Sequence, residues 1–400
     1  MVIFTSDTAT TMGSYSAMNV TGVVNASLDA FYDGSLCYNF SNLEDDYVKS
    51  LVSYTPGDAF FHSVFLPIVL VVGVLDNALF IYVVLRIPRM RTVTNCYLVG
   101  LSVADIIFLV FAIGSKIWAY AQSPLYADDS PLGLSGCQLN QFMVNTSYFV
   151  SLCFITLVSW ERYNGVCRPH RRRDTKLRVA ANVFLSTLIS CLLSASLLVS
   201  FSQEELRCFI WPTTPTFSTW PEKRMACLSN FAWADCYSYA TQTVPFFLSL
   251  FGNTLLYYKI IRGLDQSIKR TQSNHRKAKD STRNQVAIML VINGVALFAL
   301  LAPFEFMSIF NLVANVRGAV YIIPLEARQG LAYFARVASY FNSIINPIIY
   351  TVLSSRYREA FQIALLPAAC RPRPKGSDNA TPGSTGRSGT MTTRAHESKM

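Results

Sequence analysis

The sequence predicts an all-α membrane protein: a seven-transmembrane helix bundle with a short amphipathic cytoplasmic helix after the seventh span. Three observations carry this. Only 14% of the 400 residues are charged while 52% are hydrophobic, against roughly 25% charged in soluble proteins. Seven long apolar stretches recur along the chain, and Lys and Arg gather after alternate stretches. So little charge cannot coat a water-facing surface, which argues against a soluble enzyme. The high apolar content excludes disorder over most of the chain.

The stretches can be taken in order. Phe60–Leu85 contains one acid, Asp76; Tyr97–Tyr120 contains Asp105 and, near its end, Lys116. Gln138–Trp160, Val179–Phe201 and Cys236–Tyr258 contain no Asp, Glu, Lys or Arg. Asn284–Asn315 holds only Glu305, and Gln329–Leu353 only Arg336. A membrane-crossing helix needs about 20 mostly apolar residues, and without water to satisfy the backbone each stretch must be helical.

Arg86, Arg89 and Arg91 follow the first stretch; Arg162 to Arg178, Lys259 to Arg283 and Arg356 to Lys375 supply the clusters after the third, fifth and seventh. By the positive-inside rule those ends are cytoplasmic, the N-terminus is outside and the C-terminus inside. The net charge, 34 − 24 = +10, therefore marks topology and not nucleic acid.

Residues 1–59 carry seven acids and one base, Lys49, with no basic n-region before an apolar run, so no cleavable signal is expected. They read as an extracellular glycosylated segment, with sequons at Asn19, Asn25 and Asn39. Asn145 and Asn379 also match, but one lies in a span and the other on the cytoplasmic side. Residues 60–353 form the membrane domain and 354–369 the amphipathic helix. Residues 370–400, rich in Ser, Thr, Gly and Pro, form a disordered tail.

Ten cysteines show neither a C-x-x-C pair nor a His cluster, so no metal site of that type is expected. A Cys137–Cys227 bridge would tie the long outer loop to the top of the third helix, in an oxidising compartment. Cys208 and Cys236 are competing partners, and Cys37 is available for a leftover. Cys96, Cys153, Cys167 and Cys191 read as packing residues.

The chain resembles the rhodopsin-like G-protein-coupled receptors over about residues 60 to 370. Asn77, Leu101-Ser-Val-Ala-Asp105, Glu161-Arg162-Tyr163, Pro245, Pro303, Asn346-Pro347-Ile-Ile-Tyr350 and Ser355-Arg-Tyr-Arg-Glu-Ala-Phe361 match its motifs in order. Arg162 falls 25 residues after Cys137, as the family pattern requires. Met90–Val99, Ser281–Val286, Leu297–Leu301 and Phe334–Arg336 are similar to thyrotropin-releasing-hormone receptors. The segment around Arg356 is similar to neuromedin U receptors.

The resemblance implies a plasma-membrane receptor for an extracellular neuropeptide that activates a heterotrimeric G protein, of the Gq class, and is not an enzyme. It implies ligand contacts at Gln141, Asn145, Phe149, Phe304, Glu305, Arg336 and Tyr340. It implies a G-protein switch of Glu161, Arg162, Tyr163, Asn346, Pro347 and Tyr350. A sodium ion at Asp105, Ser151, Asn342, Ser343 and Asn346 is the one cofactor implied; the alternative is a neutral aspartate in a hydrogen-bond network. Cys370 is a candidate for palmitoylation, the alternative being an unmodified tail cysteine, and the serines and threonines from Ser377 to Thr393 form a candidate phosphorylation tract for recruiting arrestin, the alternative being a solvated linker.

The sequence departs from the family at several points. Leu301 stands where Trp is usual, Asn253 where Tyr is usual, Leu185 near the place of the fourth-span Trp, and Asp76 where Gly is usual. Val144 replaces the aspartate of amine receptors, and no lysine between Tyr321 and Leu353 can anchor retinal. Asn145 and Phe149 stand where hormone receptors carry a ligand-contacting Tyr and Asn. With Arg283 at the base of the sixth span, the resting lock on Arg162 must come from Glu161 alone or from something else. Glu305 and Arg336, both in the outer half of adjacent helices, are expected to pair in the empty receptor. Two other readings compete: a seven-helix transporter or channel, against which the lack of an internal repeat argues, and a receptor-like protein whose atypical Leu301 and Asn253 weaken signalling.

Overall fold

A computed structural model describes residues 30–32, 35–168, 175–198, 202–228, 232–270, 274–317 and 325–366. Asn19, Asn25, Cys370 and the tail expected over 370–400 lie outside the described residues.

Seven long helices follow in order: α2 (Pro56–Arg86), α3 (Val93–Gln122), α4 (Gly133–Cys167), α5 (Lys176–Leu198), α6 (Ala232–Arg270), α7 (Asn274–Arg317) and α8 (Leu325–Leu353). All but α8 are long and apolar enough to cross a membrane by length and composition alone. α8, 29 residues long, packs along α7 and α2 with its polar residues turned into the bundle. α1 (Asp45–Val52) precedes these helices and α9 (Ser355–Leu365) follows them.

Local chemistry sets the helix starts. Thr55 Oγ1 accepts the Asp58 N–H at 3.2 Å while Asp58 Oδ2 accepts the Thr55 N–H at 3.3 Å, a capping box with Pro56 at the first helical position. Thr92 caps α3 in the same way through the Asn95 N–H. In α2 the buried face runs Leu66, Val69, Gly73, Asn77, Phe80 and Val84, at helical spacing. Its other face exposes Ile68, Val71, Val72 and Leu75, which only an apolar solvent would accept. At Gly73 a Cβ would lie 2.5 Å from Leu109 and 2.9 Å from Ile344, so a side chain there would hold three helices apart.

A sheet that no sequence pattern announced covers the end of the bundle that carries the disulfides. Its strands are β1 (Ala30–Tyr32), β2 (Ser35–Asn39), β3 (Ser202–Ile210) and β4 (Lys223–Leu228), in that order. β2 runs parallel to β3 with Cys37 opposite Cys208, and β3 runs antiparallel to β4. Beneath it Tyr38, Phe40, Val48, Leu125, Phe209 and Phe217 form a separate core. Trp211 stacks on Phe209 and Phe217 with ring centres 4.8 and 5.4 Å apart. The segment expected as a plain glycosylated N-terminal stretch thus contributes two strands and α1 to a folded cap.

Cys137 is joined to Cys227 as expected (Cα–Cα 5.8 Å), and Cys37 takes Cys208 (Cα–Cα 4.7 Å). Cys236 is unbridged, like Cys96, Cys153, Cys167 and Cys191.

Candidate functional site

A cavity opens between α3, α4 and α8 beneath β4, bordered by Ser115, Lys116, Asn140, Gln141, Arg336 and Tyr340. Its rim is fixed by the turn after α3. Asp128, fully buried, accepts from Ser123 Oγ (2.7 Å), Ser130 Oγ (2.6 Å), Ser130 N (3.0 Å) and Met225 N (3.1 Å). Asp129 Oδ2 accepts the Cys227 N–H at 3.3 Å, and Asp129 Oδ1 lies 3.5 Å from Lys116 Nζ. Three of the four bonds to the Asp128 carboxylate brace the turn itself, and the one from Met225 N, with the Asp129–Cys227 bond, ties it to β4 beside the Cys137–Cys227 bridge.

The expected ligand residues separate into two groups. Gln141, Arg336 and Tyr340 border the cavity. Asn145 lies deeper and buried, accepting from Gln242 Nε2 at 3.1 Å and donating to Gln141 O at 2.8 Å. Phe149 packs on Leu197 and Leu193 of α5, and Phe304 on Tyr239 and Ala335. Glu305, 1% exposed, accepts a hydrogen bond from Tyr148 Oη. The expected Glu305–Arg336 pair is therefore not formed. Glu305 faces α4, while Arg336 borders the cavity with its guanidinium 5.8 Å from the Tyr333 ring centre. Both residues are at the right depth on neighbouring helices but on different faces.

In the middle of the bundle Asp105 Oδ2 accepts from Asn346 Nδ2 at 2.7 Å, with Ser343 beside it. Asn77 Nδ2 donates to Ser343 O at 2.7 Å, linking α2 to α8. Asn342 Oδ1 and Ser102 Oγ are buried without a hydrogen-bond partner, and Ser151 Oγ donates to Ser147 O at 2.9 Å.

At the other end Arg162 donates to Thr94 Oγ1 on α3, so the hold on the arginine includes a neutral hydroxyl two helices away from α7. Tyr163 stacks near Trp160, with Arg168 and Lys259 over its ring at 5.3 and 5.7 Å. Tyr350 packs between Phe80 and Tyr357 at 5.1 and 5.7 Å. Pro347 lies inside α8. Asn253 donates to Thr156 Oγ1 and to Ser249 O, both at 2.8 Å. One turn further on, Tyr257 Oη bonds Ser159 at 3.2 Å and lies where a Cβ on Gly294 would fall. Leu301 fills a core of Leu152, Ile155, Phe246, Leu297 and Phe298.

A family model for the 7 transmembrane receptor (rhodopsin family) matches residues 76–350. The chain belongs to that family. Rat somatostatin receptor type 5 is 30% identical over 322 residues, 78% of each chain. Rat galanin receptor type 1 is 26% identical over 317 residues (77% of this chain, 83% of the relative), and mouse neuromedin-U receptor 2 is 26% identical over 328, 78% of each. This rhodopsin-family receptor is a multi-pass membrane protein and not an enzyme. Sequence reasoning passed over Thr94, Tyr148, Asp128, Asp129 and Tyr257. It noted Lys116 without giving it a role. A lysine and a glutamate inside otherwise apolar spans were the visible signal; their partners, neutral or in short loops, gave none.

Proposed function

We propose that this receptor binds an extracellular peptide in the cavity under the sheet and passes the signal to a heterotrimeric G protein of the Gq class at the Arg162 end. The observation that carries this reading is the cavity itself: roofed by a disulfide-tied sheet, floored by a buried polar network, and set on helices that run unbroken to Arg162. Relatives named for somatostatin, galanin and neuromedin U support a peptide as the ligand. The sheet end faces outward from the plasma membrane, in keeping with two disulfides there. Glycosylation would fall on the sequons at Asn19, Asn25 and Asn39 of this outer segment, the last of them half-buried in β2 with its Oδ1 accepting from Ser41 N and Oγ. Residues 1–59, 60–353, 354–369 and 370–400 serve as outer segment, membrane domain, cytoplasmic helix and tail. The tail carries the palmitoyl site at Cys370 and the arrestin tract.

A sodium ion would sit at Asp105. The donor set fits, because Asn342 Oδ1 and Ser102 Oγ are buried oxygens without partners and Ser151 Oγ keeps its lone pairs. Asn342, Ser151 and Asn346 would hold the ion with Asp105. There it would neutralise the buried carboxylate.

Peptide-stimulated guanine-nucleotide exchange on membranes carrying the receptor tests the reading. Stimulation by a peptide pool, lost in Arg162→Ala at equal surface expression, is the expected result. Ion flux or uptake without exchange would assign the chain to the transporter class instead.

A further inference from the structure

Glu305 is the one acid in the apolar run Asn284–Asn315, and it is buried. A carboxyl group at that depth needs a partner. α4 supplies it: Tyr148 Oη donates to Glu305 Oε1 on α7. The same hydroxyl lies 3.5 Å from Gln242 O on α6. A phenol carries one proton, so Tyr148 can serve one of these acceptors well at a time. That choice decides whether α4 is tied to α7 or to α6. Both acceptors stand beside a proline inside a helix. Gln242 lies three residues before Pro245, and Glu305 two residues after Pro303. A proline removes a backbone hydrogen bond, and helices bend at such points. Tyr148 also covers the other side of the α7 bend. Its ring packs on the core that holds Leu301 and Phe298, and stands 6.4 Å from the Phe304 ring. One side chain of α4 thus grips α7 on both sides of Pro303.

The grip is connected to both ends of the bundle. Toward the sheet, Gln242 Nε2 donates to Asn145 Oδ1 at 3.1 Å and Asn145 Nδ2 to Gln141 O at 2.8 Å, and Gln141 borders the cavity. Toward the other end the helices are closed on one another. Arg162 donates to Thr94, and a Cβ on Gly294 of α7 would overlap Tyr257 Oη of α6. The Tyr148–Glu305 bond therefore belongs to the closed form. We propose that Tyr148 and Glu305 are positioning residues that hold the receptor silent, and that a ligand seated on Gln141 acts by shifting the Tyr148 hydrogen bond from Glu305 to the Gln242 carbonyl. The proposal rests on the receptor reading for the role of the Arg162 end. An approach of α6 by under about 1 Å would bring the 3.5 Å contact to the usual O–H···O length. α7, released from α4, could then swing at Pro303. The shift leaves a buried carboxylate without its donor, which is costly, so the silent form is the favoured one.

The test needs no ligand. Receptor in membranes at matched density is mixed with heterotrimeric G proteins of the Gq and Gi classes, and ligand-free nucleotide exchange is measured. Tyr148→Phe keeps the ring and removes the proton. It should raise exchange about fivefold, the equilibrium shift of one net hydrogen bond. Glu305→Leu should do the same, and the double variant should add little to either single one. Glu305→Gln, whose amide oxygen still accepts from Tyr148, should stay near the native level. A purely structural role would instead lower exchange in all three single variants together with thermal stability. Hydrogen exchange of the α7 amides around Pro303 gives a second readout, which Tyr148→Phe should speed. Native-like nucleotide exchange in Tyr148→Phe from a receptor that does couple, or Glu305→Gln matching Glu305→Leu, would overturn the latch. Unchanged protection of α7 in Tyr148→Phe would overturn it whether or not the receptor couples. Faster α7 exchange with no nucleotide exchange on either G protein would leave the latch standing and count against the G-protein reading.

Discussion

The two ends of the bundle are fastened by different kinds of bond. At the sheet end two disulfides, four paired strands, an aromatic core and the four bonds to Asp128 fix the rim of the cavity. At the Arg162 end no covalent link occurs among the described residues. Scattered hydrogen bonds join α4 to α3 (Arg162–Thr94), α9 to α3 (Tyr357–Asn95, 2.5 Å) and α4 to α6 (Ser159–Tyr257, Asn253–Thr156 and Cys167–Lys259). One ion pair, Arg89–Glu359 at 2.9 Å, ties α9 to the turn before α3. Each can be exchanged for water at about 1 kcal/mol. A two-state element needs this asymmetry: a fixed end that presents a shaped socket, and a loose end whose contacts can be traded.

The sharpest way to break the comparison is to cut the covalent end. Cys137→Ser should cost about 2–4 kcal/mol, read as a lower thermal midpoint of the detergent-solubilised receptor and reduced surface delivery. An equal loss in Cys37→Ser would make the N-terminal strand as important as the loop bridge. A smaller effect, about 1–2 kcal/mol, is expected of Asp128→Ala, which strands four donors, one buried and three half-buried. Asp128→Asn should recover part of it, because one oxygen still accepts.

The loose end should respond in function more than in stability. Gly294→Ala puts a methyl where Tyr257 Oη lies. It should cost about 1–2 kcal/mol as a mild overpacking and raise basal nucleotide exchange by separating α6 from α7. In a Tyr257→Phe background the stability loss should shrink; an unchanged loss would place the strain elsewhere. The smallest effect is expected of Tyr357→Phe, about 1 kcal/mol for one hydrogen bond, with a pH signature. Burial pushes the Tyr357 hydroxyl up to about 12, against the opposing pull of Arg162 and Arg356. An unfolded tyrosine titrates near about 10. The native residue therefore contributes stability that is whole below about pH 10 and lost as pH rises through the folded value. Tyr357→Phe should flatten the alkaline limb of the stability curve.

The same contrast explains what could be read from the sequence. The spans were legible because a bilayer leaves the backbone no choice but helix, and the family was legible because motifs such as Glu161-Arg162-Tyr163 and Asn346-Pro347-Ile-Ile-Tyr350 stand in its order. The cap was not. β1 is three residues long and β2 five, and β2 finds its partner in β3 across 171 residues, beyond any local pattern. Glu305 was legible as a buried charge in need of a partner, but depth along a helix does not give its rotational face, and that face gave it to Tyr148 and not to Arg336. Asn253 was legible as a missing tyrosine; that Tyr257, one turn on, bonds Ser159 was visible only once α4, α6 and α7 were packed.

The parallel pairing of β2 with β3 also imposes an order of events during synthesis. Cys37 leaves the ribosome 171 residues before Cys208, roughly 10 to 30 s earlier at ordinary translation rates. In that interval α2 to α5 must be inserted. The β1–β2 hairpin waits, with one edge of β2 unpaired and a reactive thiol, until the chain has crossed the membrane four times. Closure of the cap is thus a late assembly step that reports correct insertion of the first four spans, and a chain with a span missing would deliver β3 to the wrong side and leave Cys37 open to other thiols.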